Sequence, residues 1–176
     1  MCRRTIILFA LALVYVVPQD ASRADLTEGL VGYWPLDGNG DDASGSGNHG
    51  TVVGDVTPTA DRFGTPDSAM SFPGSTSHYV DLGQPPSLLI KGAMSVMAWV
   101  RPDTLLQNGR IIAKQCPSSA RSWGLNLESA GGFARFDIGV NPADRFRADS
   151  DPLAFGPDEW FHLATTREGE DRKSVV

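Results

Sequence analysis

The sequence predicts an all-β fold, a sandwich or barrel of short antiparallel strands. Three observations carry this. Runs rich in β-branched and aromatic residues recur at intervals of about 8–15 residues, broken by Gly, Pro, Asn or Asp. Nineteen Gly and twelve Pro in 176 residues suit a fold with many tight turns. No segment holds a 3.6-residue apolar period long enough for an extended helix.

The predicted strands follow in order. Residues 30–36 carry Leu30, Val31, Tyr33 and Trp34, and stop at Asp37 and Gly38. Residues 50–56 carry Thr51, Val52, Val53 and Val56. Residues 69–72 and 78–82 are short runs around Met70 and Phe72, then Tyr79 and Val80. Pro85 and Pro86 open a single helical turn over 85–89, since proline fits the first helical position. Residues 94–101 alternate. Met94, Val96, Ala98 and Val100 share one face, which reads as core; Ser95, Met97, Trp99 and Arg101 share a mixed, partly wet face. Strands at 110–114, 122–127, 132–139 and 145–148 follow, and 160–166 is the last. In 132–139, Phe133, Arg135 and Asp137 separate by alternation from Phe136 and Ile138. The whole reads as one layer-on-layer domain.

Residues 1–24 read as a secretory signal peptide. Arg3 and Arg4 precede an apolar run from Thr5 to Val17 that is shorter than the about 20 residues a spanning helix needs. Ser22, Arg23 and Ala24 form a small-x-small cleavage site. The product is expected to be secreted or extracytoplasmic, in the envelope or periplasm, and free of the membrane after cleavage. Only Cys116 survives cleavage, and an odd cysteine in a secreted chain points to a free thiol, an intermolecular bridge or an absent partner. A net charge of −6 argues against nucleic acid as a partner, because such binding needs a basic surface.

The loop from Asp37 to Gly50, preceded by Gly29, Leu30, Val31, Gly32, Tyr33, Trp34, Pro35 and Leu36, is the most specific feature. Its segment Asp42 to Gly50 fits the pattern D-x-S-G-x-x-N-x-G. Four more groups follow in order: Ala69 to Phe72 with Tyr79 to Leu82; Ser95 to Pro102, around Ala98, Trp99 and Val100; Ile111 to Lys114 with Trp123, Gly124 and Leu125; and Trp160 to Ala164. The ordered set resembles the laminin-G-like jelly-roll domain of the concanavalin A-like lectin/glucanase superfamily, over about residues 29–168. The resemblance implies a two-sheet antiparallel jelly-roll sandwich (concanavalin A-like), over 25–170. It also implies a "YVDG" strand and further closing strands, which do not follow here, so the domain is expected to be incomplete at its C-terminus. A disulfide between Cys116 and a cysteine in the missing part is implied in the same way.

The chain's end sharpens this expectation. The 160–166 strand runs into a turn at Arg167, Glu168, Gly169 and Glu170, with no returning strand expected after it. Asp171, Arg172, Lys173, Ser174, Val175 and Val176 back-translate to GAT CGG AAG AGC GTC GTG, the text of a common sequencing adapter. Residues 171–176 are therefore expected to be a non-native tail.

The acidic loop is the candidate metal site. Asp37, Asn39, Asp42 and Asn48, with Asp41 and Ser44 beside them, offer the hard oxygens that Ca²⁺ takes. The alternative is that these side chains cap turns by bonding their own backbone. For ligands, exposed tryptophan can pack on a sugar ring while polar neighbours bind hydroxyls. Trp99 and Trp160 sit in periodic strands and read as packed. Trp123, with Arg121 and Asn126 near it, reads as the wet one. Tyr79 and Arg135, with Asp81 and Asp137, are the further ligand candidates.

No catalytic pattern stands out. The E-x-D-x-E strand that places two carboxylates on one face in jelly-roll glucanases is absent. His49, His78 and His162 lack zinc-site spacing, and no G-x-S-x-G or phosphate-loop lysine occurs. The sequence thus predicts a secreted non-catalytic module that binds a glycan or an extracellular protein, with Ca²⁺ as its only expected cofactor. The alternatives are an accessory domain of a larger secreted enzyme, or a structural or adhesive spacer.

Overall fold

A computed structural model describes residues 27–90, 92–103, 109–114, 122–128, 132–139, 145–152, 156–168 and 172–175. The predicted leader over 1–24, Arg121 and Cys116 lie outside the described residues.

The described elements are strands and one short 3-10 turn. The strands are β1 (Thr51–Val53), β2 (Thr57–Thr59), β3 (Ala69–Ser71), β4 (Tyr79–Asp81), β5 (Met94–Val100) and β6 (Gly109–Lys114). They continue as β7 (Ser122–Glu128), β8 (Phe133–Gly139), β9 (Arg145–Asp149), β10 (Phe161–Glu168) and β11 (Arg172–Val175). The turn Pro86–Leu88 starts on the predicted proline pair. All pairings are antiparallel: β1 with β4, β2 with β3, β11-β10-β5, and β6-β7-β8-β9.

The two larger sheets face each other across one core. Met94 and Val96 of β5 and Leu163 of β10 pack with Trp123, Leu125 and Leu127 of β7 and Ala134, Phe136 and Ile138 of β8. Leu125, Phe136 and Leu163 are fully buried, each contributing about 1.5–3 kcal/mol by leaving water. The arrangement is the all-β sandwich the sequence predicts, with the 94–101 core face as read.

Three expectations need correction. The 30–36 segment forms no strand; side-chain hydrogen bonds hold it instead of a ladder, as described below. The 50–56 run holds only β1, and an unexpected β2 follows it at 57–59, because Gly54 turns the chain with φ 75°. A Cβ there would sit 2.4 Å from His78 Nδ1 and from the Ser77 carbonyl, so no other residue fits without movement. His78 then locks the bend by accepting the Asp55 N–H at 2.8 Å. Finally, a returning strand does exist: β11 runs antiparallel along β10 from Thr165↔Val175 to Glu168↔Arg172.

Candidate functional site

The acidic loop is a self-satisfied clamp. Asp42 is buried, and its Oδ1 accepts the N–H groups of Tyr33 and Ser44, both at 2.9 Å. Its Oδ2 accepts the Asn48 N–H at 2.9 Å. Burial opposes ionisation of Asp42, but the hydrogen bonds from Ser44, Tyr33 and Asn48 outweigh it and hold the carboxyl well below the usual aspartate range. Asn48, also buried, donates to the Val31 carbonyl at 2.6 Å and accepts the Ser87 hydroxyl at 2.8 Å. Trp34 closes the clamp by donating Nε1–H to the Asn48 carbonyl. Asn39 caps its own turn by accepting the Asp41 N–H, and Asp37 stands exposed.

This donor set does not fit Ca²⁺. Both Asp42 oxygens face N–H dipoles, whose positive ends would repel a cation at the same place. Among the described residues no three His, Cys, Asp or Glu side chains gather as a metal-ligand group. Capping of turns and loop backbone describes what Asn39, Asp42 and Asn48 do here.

The outer face of the β6–β9 sheet collects two of the predicted ligand residues. Asn126 and Arg135 lie directly opposite each other on β7 and β8. Arg135 holds Asp149 of β9 with two hydrogen bonds, at 2.7 and 2.9 Å, and reaches Glu128 at 3.5 Å. The Arg135 hydrogen bond is the main reason that the Asp149 carboxyl sits below its ordinary range. Arg147 donates to Asp137 at 2.9 Å, and Asn126 donates to the other oxygen of Asp137 at 3.2 Å. These charges therefore pair with one another. Tyr79 is exposed on a different sheet, β1 with β4, and does not join them.

Trp123 corrects the wet-tryptophan expectation. It is 7% exposed, packs in the core, and donates Nε1–H to the Leu88 carbonyl at 3.2 Å. Its strand alternates, so Trp123 shares the inward face with Leu125 and Leu127. The period groups Trp123 with Leu125 and Leu127, and the sheet packed over them settles its burial.

The exposed tryptophan is Trp99, at 47%. It stands on the outward face of β5, in phase with Met97, which is 58% exposed. Opposite it on β10 is His162, with ring centroids 5.0 Å apart. The Arg62 guanidinium carbon lies 4.6 Å from the Trp99 ring and 4.2 Å from the Phe63 ring. A tight turn presents Arg62 and Phe63. Asp61 Oδ1 accepts the N–H groups of Phe63 and Thr65, while Asp61 N–H bonds the Thr65 carbonyl. Against a desolvation cost, the amides of Thr65 and Phe63 hold Asp61 below its ordinary pKa. The result is a preset surface group of Phe63, Arg62, Trp99 and His162. Sequence reasoning missed Arg62 and Phe63, because nothing local says that the 61–65 turn lies over β5.

The laminin-G model of the concanavalin A-like lectin/glucanases superfamily matches residues 74–176, more than half of the chain. The chain belongs to that superfamily. No curated protein and no solved structure matches it. Membership supports a carbohydrate- or protein-binding module, and laminin G-like domains are typically non-catalytic and extracellular. Among the described residues, no helix is long and apolar enough to cross a membrane.

The glucanase side of the superfamily name can be tested on the carboxylates. A glucanase needs two facing carboxyls about 5–10 Å apart around a bound sugar. Glu128 is tied to Arg135, and Glu159 accepts the Gly156 N–H at 3.1 Å. Glu168 lies on β10 and Glu28 in the turn before the clamp.

Proposed function

We propose that this protein is a secreted, non-catalytic carbohydrate-recognition module and that Trp99 is the centre of its binding face. One observation carries the reading: a half-exposed tryptophan fixed on a rigid strand beside His162, Arg62 and Phe63. An aromatic ring with polar neighbours is the usual chemistry for the apolar face and hydroxyls of a pyranose. The group is already ordered in the free chain. The Asp61 turn holds one side and the β5–β10 ladder the other, so little conformational entropy remains to be lost on binding. The leader-like residues 1–24 support delivery outside the cytoplasm, where glycans are found.

The test is titration with a panel of soluble oligosaccharides, read by tryptophan fluorescence and calorimetry. The native chain is expected to bind at least one class. Trp99→Ala is expected to lose binding at least about tenfold with its melting temperature nearly unchanged. Unaltered binding by Trp99→Ala would overturn the placement.

A further inference from the structure

Arg135 and Arg147, on the outer face of the β6–β9 sheet, contrast with Arg62, in the turn that lies against β5. Arg135 and Arg147 each grip a carboxylate. Arg62 makes no ion pair and no hydrogen bond with any described residue; its guanidinium rests on the rings of Phe63 and Trp99. The adjacent carboxylate, Asp61, feels the Arg62 charge but forms no bridge to it; its Oδ1 accepts the Phe63 and Thr65 amides. Arg101, in phase with Trp99, is likewise stacked, at 5.5 Å from the Trp160 ring. The outward positions of β5 and β10 around Trp99 are Ser95, Met97, His162, Ala164 and Thr166, with no acid among them. The one acid in phase is Glu168, six residues along from His162 and so about 20 Å away.

We infer that Arg62 is an anion-binding group and that the ligand of the Trp99 face is an acidic sugar, a pyranose bearing a carboxylate. The inference rests on the carbohydrate reading above and adds the charge. Ring contacts hold an arginine by cation–π attraction without using its five N–H donors. Those donors match a carboxylate in a two-pronged fork, which a lysine cannot reproduce. The rings exclude water on their side, which strengthens the ion pair when it forms. The apolar surfaces of Trp99, Phe63 and Met97 lie beside the cation and suit a sugar ring better than a bare ion. The chain's net charge of −6 repels anions at long range, so the attraction must be local and short-ranged. A carboxylated sugar rather than an acidic peptide is favoured because the exposed groups are flat rings on a flat sheet. No unpaired strand edge is needed for the contact.

The experiment uses the full chain with soluble oligomers of galacturonate and of mannuronate. Each is compared with its carboxyl-reduced, neutral counterpart, which keeps the ring and removes the charge. A uronate oligomer is expected to bind about tenfold or more tighter than its neutral counterpart, as for one well-formed charged pair. Arg62→Ala should bring the acidic oligomer down to the neutral level with unchanged circular dichroism. Arg62→Lys, which keeps the charge but not the fork, should recover only part of the preference. Trp99→Ala should weaken both forms. Equal binding of acidic and neutral oligomers, or Arg62→Ala binding as the native chain does, overturns the acidic-sugar inference and leaves the carbohydrate reading standing. Binding of poly-glutamate as tight as that of the uronates overturns the sugar as occupant and leaves only an anion patch. No binding of either form, together with none across the neutral panel, overturns both.

Discussion

The outer faces of the two main sheets use arginine in opposite ways. On β6–β9, Arg135 and Arg147 lie among Glu128, Asp137 and Asp149, and each of these five charges has an answering charge within the protein. Over β5–β10, the guanidinium of Arg62 stacks on aromatic faces and forms no salt bridge, and Trp99 and Met97 stand open to water. The first face is satisfied by itself, so a ligand there would have to displace existing pairs before gaining its own. The second leaves a cation without a salt bridge and apolar surface uncovered. Self-satisfaction, and not the number of polar residues, separates a solvated sheet face from a recognition face.

The largest effect that sharpens this contrast is at the two tryptophans. Trp123→Ala should cost about 3–5 kcal/mol by opening a cavity between the sheets, seen as a large fall in the urea midpoint. Trp99→Ala should stay within about 1 kcal/mol of the native chain and act on binding alone. Comparable losses of stability in the two variants would break the distinction between the faces.

Next comes the clamp. Asp42→Ala leaves three backbone N–H groups without their acceptor and should cost about 2–3 kcal/mol. The pH dependence follows from the lowered pKa. The folded carboxyl titrates below the ordinary value of 3.8, so its stabilisation is complete above that value and is lost as pH falls below it. Denaturant titrations between pH 6 and pH 2 should show native stability falling at the acid end. Asp42→Asn should flatten that fall, and an identical acid profile would show that Asp42 is not its source.

A smaller effect separates the arginines. Arg135→Ala should lower stability by about 1 kcal/mol, because Asp149 and Glu128 lose their partner at a partly exposed site. Arg62→Ala should change stability by less than about 0.5 kcal/mol, since it is exposed and its attraction to Asp61 is screened by water and makes no bridge. The reverse order, measured by thermal melts, would mean that Arg62 is the structural residue of the pair. The smallest expected effect is from metal removal. EDTA should leave both the melting temperature and binding unchanged, because the loop's carboxylate already bonds amides; a clear drop in either would restore the Ca²⁺ expectation.

Much of the fold was legible in the residues. Nine of the ten predicted strand runs contain strands, because alternation and turn residues are local signals and strands express them directly. The exception, 30–36, has strand composition but no strand beside it; Asp42 and Asn48 supply its hydrogen bonds from a distance. The clamp was legible only as two alternatives, metal or turn caps. Choosing between them requires knowing what the carboxylate faces.

The sequence by itself determined the all-β class, the spacing of its strands and the superfamily. Each follows from patterns within a few residues or from an ordered run of them. Only the tertiary structure decided which tryptophan is wet and which arginine lacks an anion. Period two separates a strand's faces but does not say which face another sheet will cover. Trp123 is buried because β5 and β10 pack over it, and Arg62 becomes part of a site because its turn folds onto Trp99 from 37 residues away.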